Sequence, residues 1–186
     1  MNKDDGIVWS LCRGGDRKAF EILYRKYYPV FFNYGKLFLR DSDLIQNCIQ
    51  NFFVKLISNH KGLSDTVYVR SYLLKAFRHT IYNELKAEQI RNGVVVCCPD
   101  EILGNIDQLI DDEETTYQNE LIASALKKLS FRQREILYLF YIRELSHEEI
   151  STILNINYQS SKNLLFRSIA KLRDLLLSDP SWNRNK

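Results

Sequence analysis

The sequence predicts an all-α protein of two small helical domains joined by an acidic flexible linker, the second domain being a helix-turn-helix. Three observations carry that prediction. Apolar residues recur at three- and four-residue intervals through most of the chain, and no segment alternates as a strand would. Between two such blocks lies a stretch with Gly93, Pro99, Gly104 and the run Asp111-Asp112-Glu113-Glu114, without a helical period. Charge follows the same division: residues 1–87 carry a net +6, residues 88–118 a net −7 and residues 119–186 a net +4. The expected organisation is a first domain over residues 1–90, a linker over 91–118, a second domain over 119–180 and a tail over 181–186. A linker of that length exceeds most loops inside one domain and marks a boundary.

Composition narrows the class. With 186 residues, 45% of them hydrophobic, the chain can bury a modest core and is too apolar for a disordered protein. Three Pro and seven Gly exclude collagen-like and low-complexity chains. No apolar run approaches bilayer length, and the opening MNKDDGIVWS lacks a signal-peptide core. A cytoplasmic protein without direct membrane insertion is expected. Cys12, Cys48, Cys97 and Cys98 form no C-x-x-C pair, and His60, His79 and His147 lie far from them in sequence. Neither a disulfide nor a metal site is expected, and Cys48 reads as a small core residue.

Within the first block, Gly14-Gly15 breaks the chain and Asp16 is placed to cap a helix. Phe20, Leu23, Tyr24, Tyr27 and Tyr28 form its apolar stripe, and Pro29 is expected to end it, kink it or start the next. From Asp41 to Ile57 the period returns through Leu44, Ile45, Cys48, Ile49, Phe52, Phe53 and Leu56. A polar loop, residues 59–65, precedes a third stripe of Tyr72, Leu73, Ala76, Phe77, Ile81 and Leu85. There Tyr68, Arg70, Tyr72, Lys75, Arg78, His79, Tyr82, Asn83 and Lys86 interleave rings with cations. Rings give unstacked bases a flat surface while Lys and Arg track phosphates.

In the last block, Ser130 with Gln133 and Ser146 with Glu149 each fit a capping box that opens a helix. Asn155 tolerates positive φ in the turn Asn155-Ile156-Asn157, and a longer helix follows from about Tyr158 to Leu177. A short helix, a three-residue turn and a longer helix make a helix-turn-helix. On the last helix Leu165, Ile169, Leu172 and Leu176 are expected to face the core. Ser160, Asn163, Arg167 and Lys171 fall opposite, flanked by Gln159 and Lys162, a face suited to a DNA major groove.

Together the blocks resemble an extracytoplasmic-function sigma factor, the minimal two-domain branch of the bacterial RNA polymerase sigma family. The resemblance runs from Gly15 to Leu177, through residues 15–29 (GDRKAFEILYRKYYP), 50–56 (QNFFVKL), 70–79 (RSYLLKAFRH), 129–135 (LSFRQRE), 145–150 (LSHEEI) and Lys162, Arg167 and Lys171-Leu172-Arg173. It implies binding of core RNA polymerase through Asp43, Gln46, Asn47, Gln50, Asn51 and Phe53. It implies recognition and opening of a downstream (minus-ten) promoter element by His60, Lys61 and the aromatic-basic residues of 68–86, with a flipped base held by the loop at 59–66. It also implies reading of an upstream (minus-thirty-five) element of promoter DNA by Gln159, Ser160, Lys162, Asn163, Arg167 and Lys171. The acidic linker would thread a positively charged polymerase cleft, and an anti-sigma factor is a further implied partner. Asn47 and Asn51 stand where the family usually has acids, His79 and Asn83 where it has Asn and Asp, and Leu164 and Ile169 where it has Arg.

A stand-alone helix-turn-helix regulator explains the last block equally well but leaves the aromatic-basic cluster and the linker without a purpose. No nucleophile with a base, phosphate-cradling glycine loop or carboxylate pair stands out, so no enzyme, cofactor or small-molecule substrate is expected.

Overall fold

The computed structural model describes residues 3–66, 68–92, 116–179 and 182. Among them are eight α-helices in two compact units. The first holds α1 (Lys3–Arg13), α2 (Arg17–Gly35), α3 (Ser42–Ser58) and α4 (Val69–Asn92). The second holds α5 (Thr116–Lys127), α6 (Phe131–Leu137), α7 (His147–Leu154) and α8 (Tyr158–Leu177). The described ends of the expected linker are thus helical, since α4 reaches Asn92 and α5 begins at Thr116. Cys97, Cys98, the acidic run 111–114 and the tail at 183–186 lie outside the described residues.

The first unit closes on rings. Phe31 is fully buried, stacked on Phe77 with centroids 4.4 Å apart, and edge-on to Phe52 at 5.1 Å. Burying each such side chain contributes on the order of 1.5–3 kcal/mol, so these rings dominate the unit's stability. Cys48 is buried as expected. The cap at Asp16 also forms: its Oδ1 accepts from the amides of Lys18 and Ala19 at 2.8 and 3.1 Å. Gly15 before it has φ +86°, a backbone region that few other residues enter cheaply. Of the three expected outcomes at Pro29, two are excluded: α2 neither ends nor restarts there but continues to Gly35. There the helix meets α3 closely, since a Cβ on Gly35 would stand 2.7 Å from Ile45 Cγ2.

Helix α1 has no counterpart among the sequence expectations. Its inner stripe is Asp5, Trp9 and Cys12, one acid and one ring, which reads weakly as an apolar period. The buried Asp5 carboxylate accepts from Lys26 Nζ and from Tyr27 Oη, tying α1 to α2. Burial, and secondarily the charge of Asp16, pushes the Cys12 thiol up to about 11, so it stays protonated and inert at neutral pH.

The second unit is fixed by its helix ends. Both expected capping boxes form, Ser130 with Gln133 and Ser146 with Glu149. Asn155 takes φ +54° at the end of α7, and Asn157 caps α8 by accepting from the Ser160 amide at 2.7 Å. Helix α6 passes into a wide π turn over Tyr138–Ile142, closed by the Arg143 amide donating to the Tyr138 carbonyl at 3.0 Å. Burial pushes the Tyr138 phenol up to about 12, with the Arg143 charge pulling partly back. Ile136, Leu139, Leu145, Ile150, Ile153 and Leu165 fill the core.

Candidate nucleic-acid interface

Helix α8 presents Gln159, Ser160, Lys162, Asn163, Arg167 and Lys171 exposed, all six of the residues expected to read DNA. Gln159 Nε2 donates to Asn163 Oδ1 at 3.1 Å, which orients both amides on one face. Lys162 Nζ lies 5.7 Å from the centre of the Tyr158 ring at the helix start. The core line of the helix differs from expectation. Ser161, Leu165 and Ser168 are buried, whereas Ile169 is exposed and Leu172 and Leu176 are only half-buried. Small hydroxyl side chains allow close packing and satisfy themselves locally: Ser168 Oγ donates to the Leu164 carbonyl at 2.7 Å, and Ser161 Oγ pairs with His147 Nδ1 at 3.0 Å. Their polarity hides them from a search for apolar spacing.

This rotation of the core line puts Phe166 on the polar face, 73% exposed and between Lys162 and Asn163 by helical register. The sequence pattern did not single it out, because an aromatic in a helix ordinarily reads as core. A bare ring beside polar groups suits apolar contact with a thymine methyl.

On α4, Tyr72, Lys75, Arg78, His79, Tyr82, Asn83 and Lys86 share one side within an arc of roughly 140° by the helical repeat. Tyr68 precedes the helix and is exposed. Arg70 falls by register toward the opposite, core-facing side and is half-buried, so it stands apart from the others. Arg78 Nη2 donates to Tyr82 Oη at 3.0 Å, with the guanidinium carbon 4.5 Å from the ring centre. Tyr72 is half-buried, edge-on to Trp9 at 5.3 Å. The opposite side, Leu73, Leu74, Phe77 and Ile81, is fully buried, so the aromatic-basic face rests on a rigid floor.

The loop before α4 holds His60 and Lys61 in a short 3₁₀ turn, His60–Gly62. Lys61 is exposed. His60 is a packing residue instead of a free contact: its Nδ1 lies 3.2 Å from the Arg13 carbonyl, and its ring covers Gly15, 3.1 Å from where a Cβ would be.

On α3, Asp43, Asn47, Gln50 and Asn51 are exposed and Gln46 half-buried, lying along one side. Phe53 does not join them. It is 4% exposed and packs edge-on to Tyr24 at 4.9 Å, so it belongs to the core. The apolar residue on the outer face is its neighbour Val54, 64% exposed, followed one turn on by Ile57. In a run as apolar as Phe52-Phe53-Val54, spacing alone does not say which member faces out.

Among the described residues, no group of three or more His, Cys, Asp or Glu could hold a metal ion. No helix among them is long and apolar enough to cross a membrane.

A family model, Sigma-70 region 4, matches residues 119–172, which covers α5 to most of α8. Relatives extend the likeness across the first unit. The RNA polymerase sigma factor SigZ of Bacillus subtilis is 28% identical over 74% of this chain and 76% of its own. The ECF RNA polymerase sigma factor SigM of the same organism is 23% identical over 82% of this chain and 92% of its own. The chain is thus similar to extracytoplasmic-function sigma factors along most of its length, and its second unit matches sigma-70 region 4. The ECF sigma factor SigL of Mycobacterium tuberculosis, 27% identical over 81% of the chain and 85% of its own, is a further relative. The fold is shared with CnrH, solved in complex with the cytosolic domain of CnrY (TM-score 0.66, 18% identity, 94% of this chain and 98% of that one). It is shared too with the sigma factor RpoE of Bartonella quintana, solved with the anti-sigma factor NepR (TM-score 0.64, 17% identity, 87% and 99%).

Proposed function

We propose that the chain is a sigma factor that directs core RNA polymerase to specific promoters and starts DNA-templated transcription, working in the cytoplasm without chemistry of its own. The observation that carries the assignment of parts is the pair of polar faces, a partly exposed one with rings and cations on α4 and a fully exposed one with amides, cations and Phe166 on α8. The first domain, residues 1–90, would recognise and open the downstream element with Lys61, Tyr68, Tyr72, Lys75, Arg78, His79, Tyr82, Asn83 and Lys86. The second, residues 119–180, would read the upstream element with Gln159, Ser160, Lys162, Asn163, Phe166, Arg167 and Lys171. Core polymerase would dock on α3 through Asp43, Gln46, Asn47, Gln50, Asn51 and Val54. One fold relative was solved with an anti-sigma factor and another with the cytosolic domain of CnrY, which supports an anti-sigma partner here.

The test is co-elution of the full chain with core RNA polymerase on gel filtration, followed by transcription from a promoter library. Near-equal stoichiometry is expected, and Val54→Asp should abolish it while leaving the thermal melt unchanged. A clean chain that binds duplex promoter DNA but never the polymerase would instead be a stand-alone regulator.

A further inference from the structure

Helix α1 holds the loop before α4 by the loop's own backbone. Trp9 Nε1 donates to the Ser64 carbonyl at 3.0 Å, and Arg13 Nε donates to the Leu63 carbonyl at 3.2 Å. These two residues are one turn apart on α1, so one helix face grips two successive peptide groups. Arg13 Nη1 also pairs with Asp65 at 3.0 Å, and the Arg13 carbonyl meets the His60 ring. Inside the loop, the Gly62 amide donates to Asn59 and the Leu63 amide to His60, at 2.9 and 3.2 Å, while Leu63 is buried. Little in this loop is left to be ordered when a ligand arrives, although Lys61, Ser64 and Asp65 are exposed.

The ion pair has an electrostatic consequence. Asp65 is the acid of the 59–66 loop, and its side chain is 83% exposed, so the pair contributes little to stability. It does place a cation beside the carboxylate that an approaching phosphate would otherwise meet unshielded. On the opposite flank, α1 is anchored to α2 through Asp5, Lys26 and Tyr27, so the grip does not ride on a loose segment.

We propose that Trp9 and Arg13 are positioning residues for promoter opening, holding the loop 59–66 in the conformation that receives an unstacked base. The proposal rests on the assignment of the first domain to the downstream element. A loop ordered in advance binds without the entropy cost of ordering, and flipping a base already costs unstacking energy. Neither residue needs to touch DNA for this.

The test uses the full chain assembled with core RNA polymerase and a fork-junction DNA whose single-stranded segment is randomised, with bound molecules sequenced. The wild-type protein is expected to enrich one base at one single-stranded position. Trp9→Phe keeps the ring against Tyr72 and loses only the donated N–H; Arg13→Gln loses the N–H donated to the Leu63 carbonyl together with the ion pair. Each should lower that base preference about five-fold, the factor for one net hydrogen bond. Ile7→Ala, on the same helix but 66% exposed, should leave it unchanged. Polymerase co-elution and the thermal melt should hold in all three variants. Full base preference in Trp9→Phe and Arg13→Gln would overturn the proposal, as would a loss that tracks a fallen melt or lost co-elution. A wild-type protein that enriches no single-stranded base would overturn the assignment of the first domain, and the positioning role with it.

Discussion

In the first unit, the helix that carries the aromatic-basic face lies on a floor of large rings, with Phe31, Phe52 and Phe77 packed face and edge. In the second unit, α8 turns Leu165 and its own two buried serines inward onto a mainly aliphatic core that also holds Phe131 and Tyr138, and capped turns set the short helices before it. Both units hold out a polar face. One does so through buried ring area, which is worth much energy and is insensitive to single polar changes. The other does so through turn geometry, worth less at each point but decisive for the angle at which a helix leaves the turn. Under the proposed assignment, melting DNA calls for a platform that resists deformation and reading a groove for a helix set at one angle, demands that these two constructions would meet.

The largest effect should come from removing a ring. Phe31→Ala should cost about 3–5 kcal/mol, read as a lowered denaturant midpoint of the first unit with the second unit's transition unmoved. A common shift of both transitions would break the contrast. Next is overpacking of the second unit: Ser161→Leu should cost about 1–3 kcal/mol and weaken upstream-element binding by displacing α8. Alkaline titration separates the units by window. A thiol or phenol raised by folding keeps its proton while the unfolded chain loses it, so stability is present below the unfolded pKa and lost above it. Cys12 should therefore erode the first unit between pH 9 and about 11, and Tyr138 the second between pH 10 and about 12, with Cys12→Ala abolishing the earlier loss. Losing one cap, Ser146→Ala, should cost about 1 kcal/mol in a thermal melt. Smallest in stability is Arg167→Ala, within about 0.5 kcal/mol, yet it should reduce the salt dependence of DNA binding by about one counterion.

Features set by neighbours in sequence were legible in it. The caps at Asp16, Ser130 and Ser146, the left-handed Asn155 and the extent of α8 follow from side chains acting within four residues of themselves. What escaped depends on partners distant in the chain. Helix α1 is held by Lys26, Tyr27 and the 63–65 loop, so its short apolar pattern gave no signal. Ser161 and Ser168 are buried because α8 comes close to its neighbours, and a hydroxyl that bonds to His147 or to its own helix loses little there. Phe53 and Val54 traded places for the same reason: adjacent apolar residues are sorted only by what packs against them. Six of six candidate residues on α8 are exposed, but on α3 the one ring among the candidates is not.

The wide turn at Tyr138–Ile142 carries one residue more than an α-helical ladder needs, and within it Tyr141 and Ile142 stand exposed. Loss of a codon from an ordinary helix throws every later side chain out of phase with the core. Here the same loss would take up the extra residue of the wide turn and leave a standard ladder, so a gene shortened at this turn could still encode the second unit's fold.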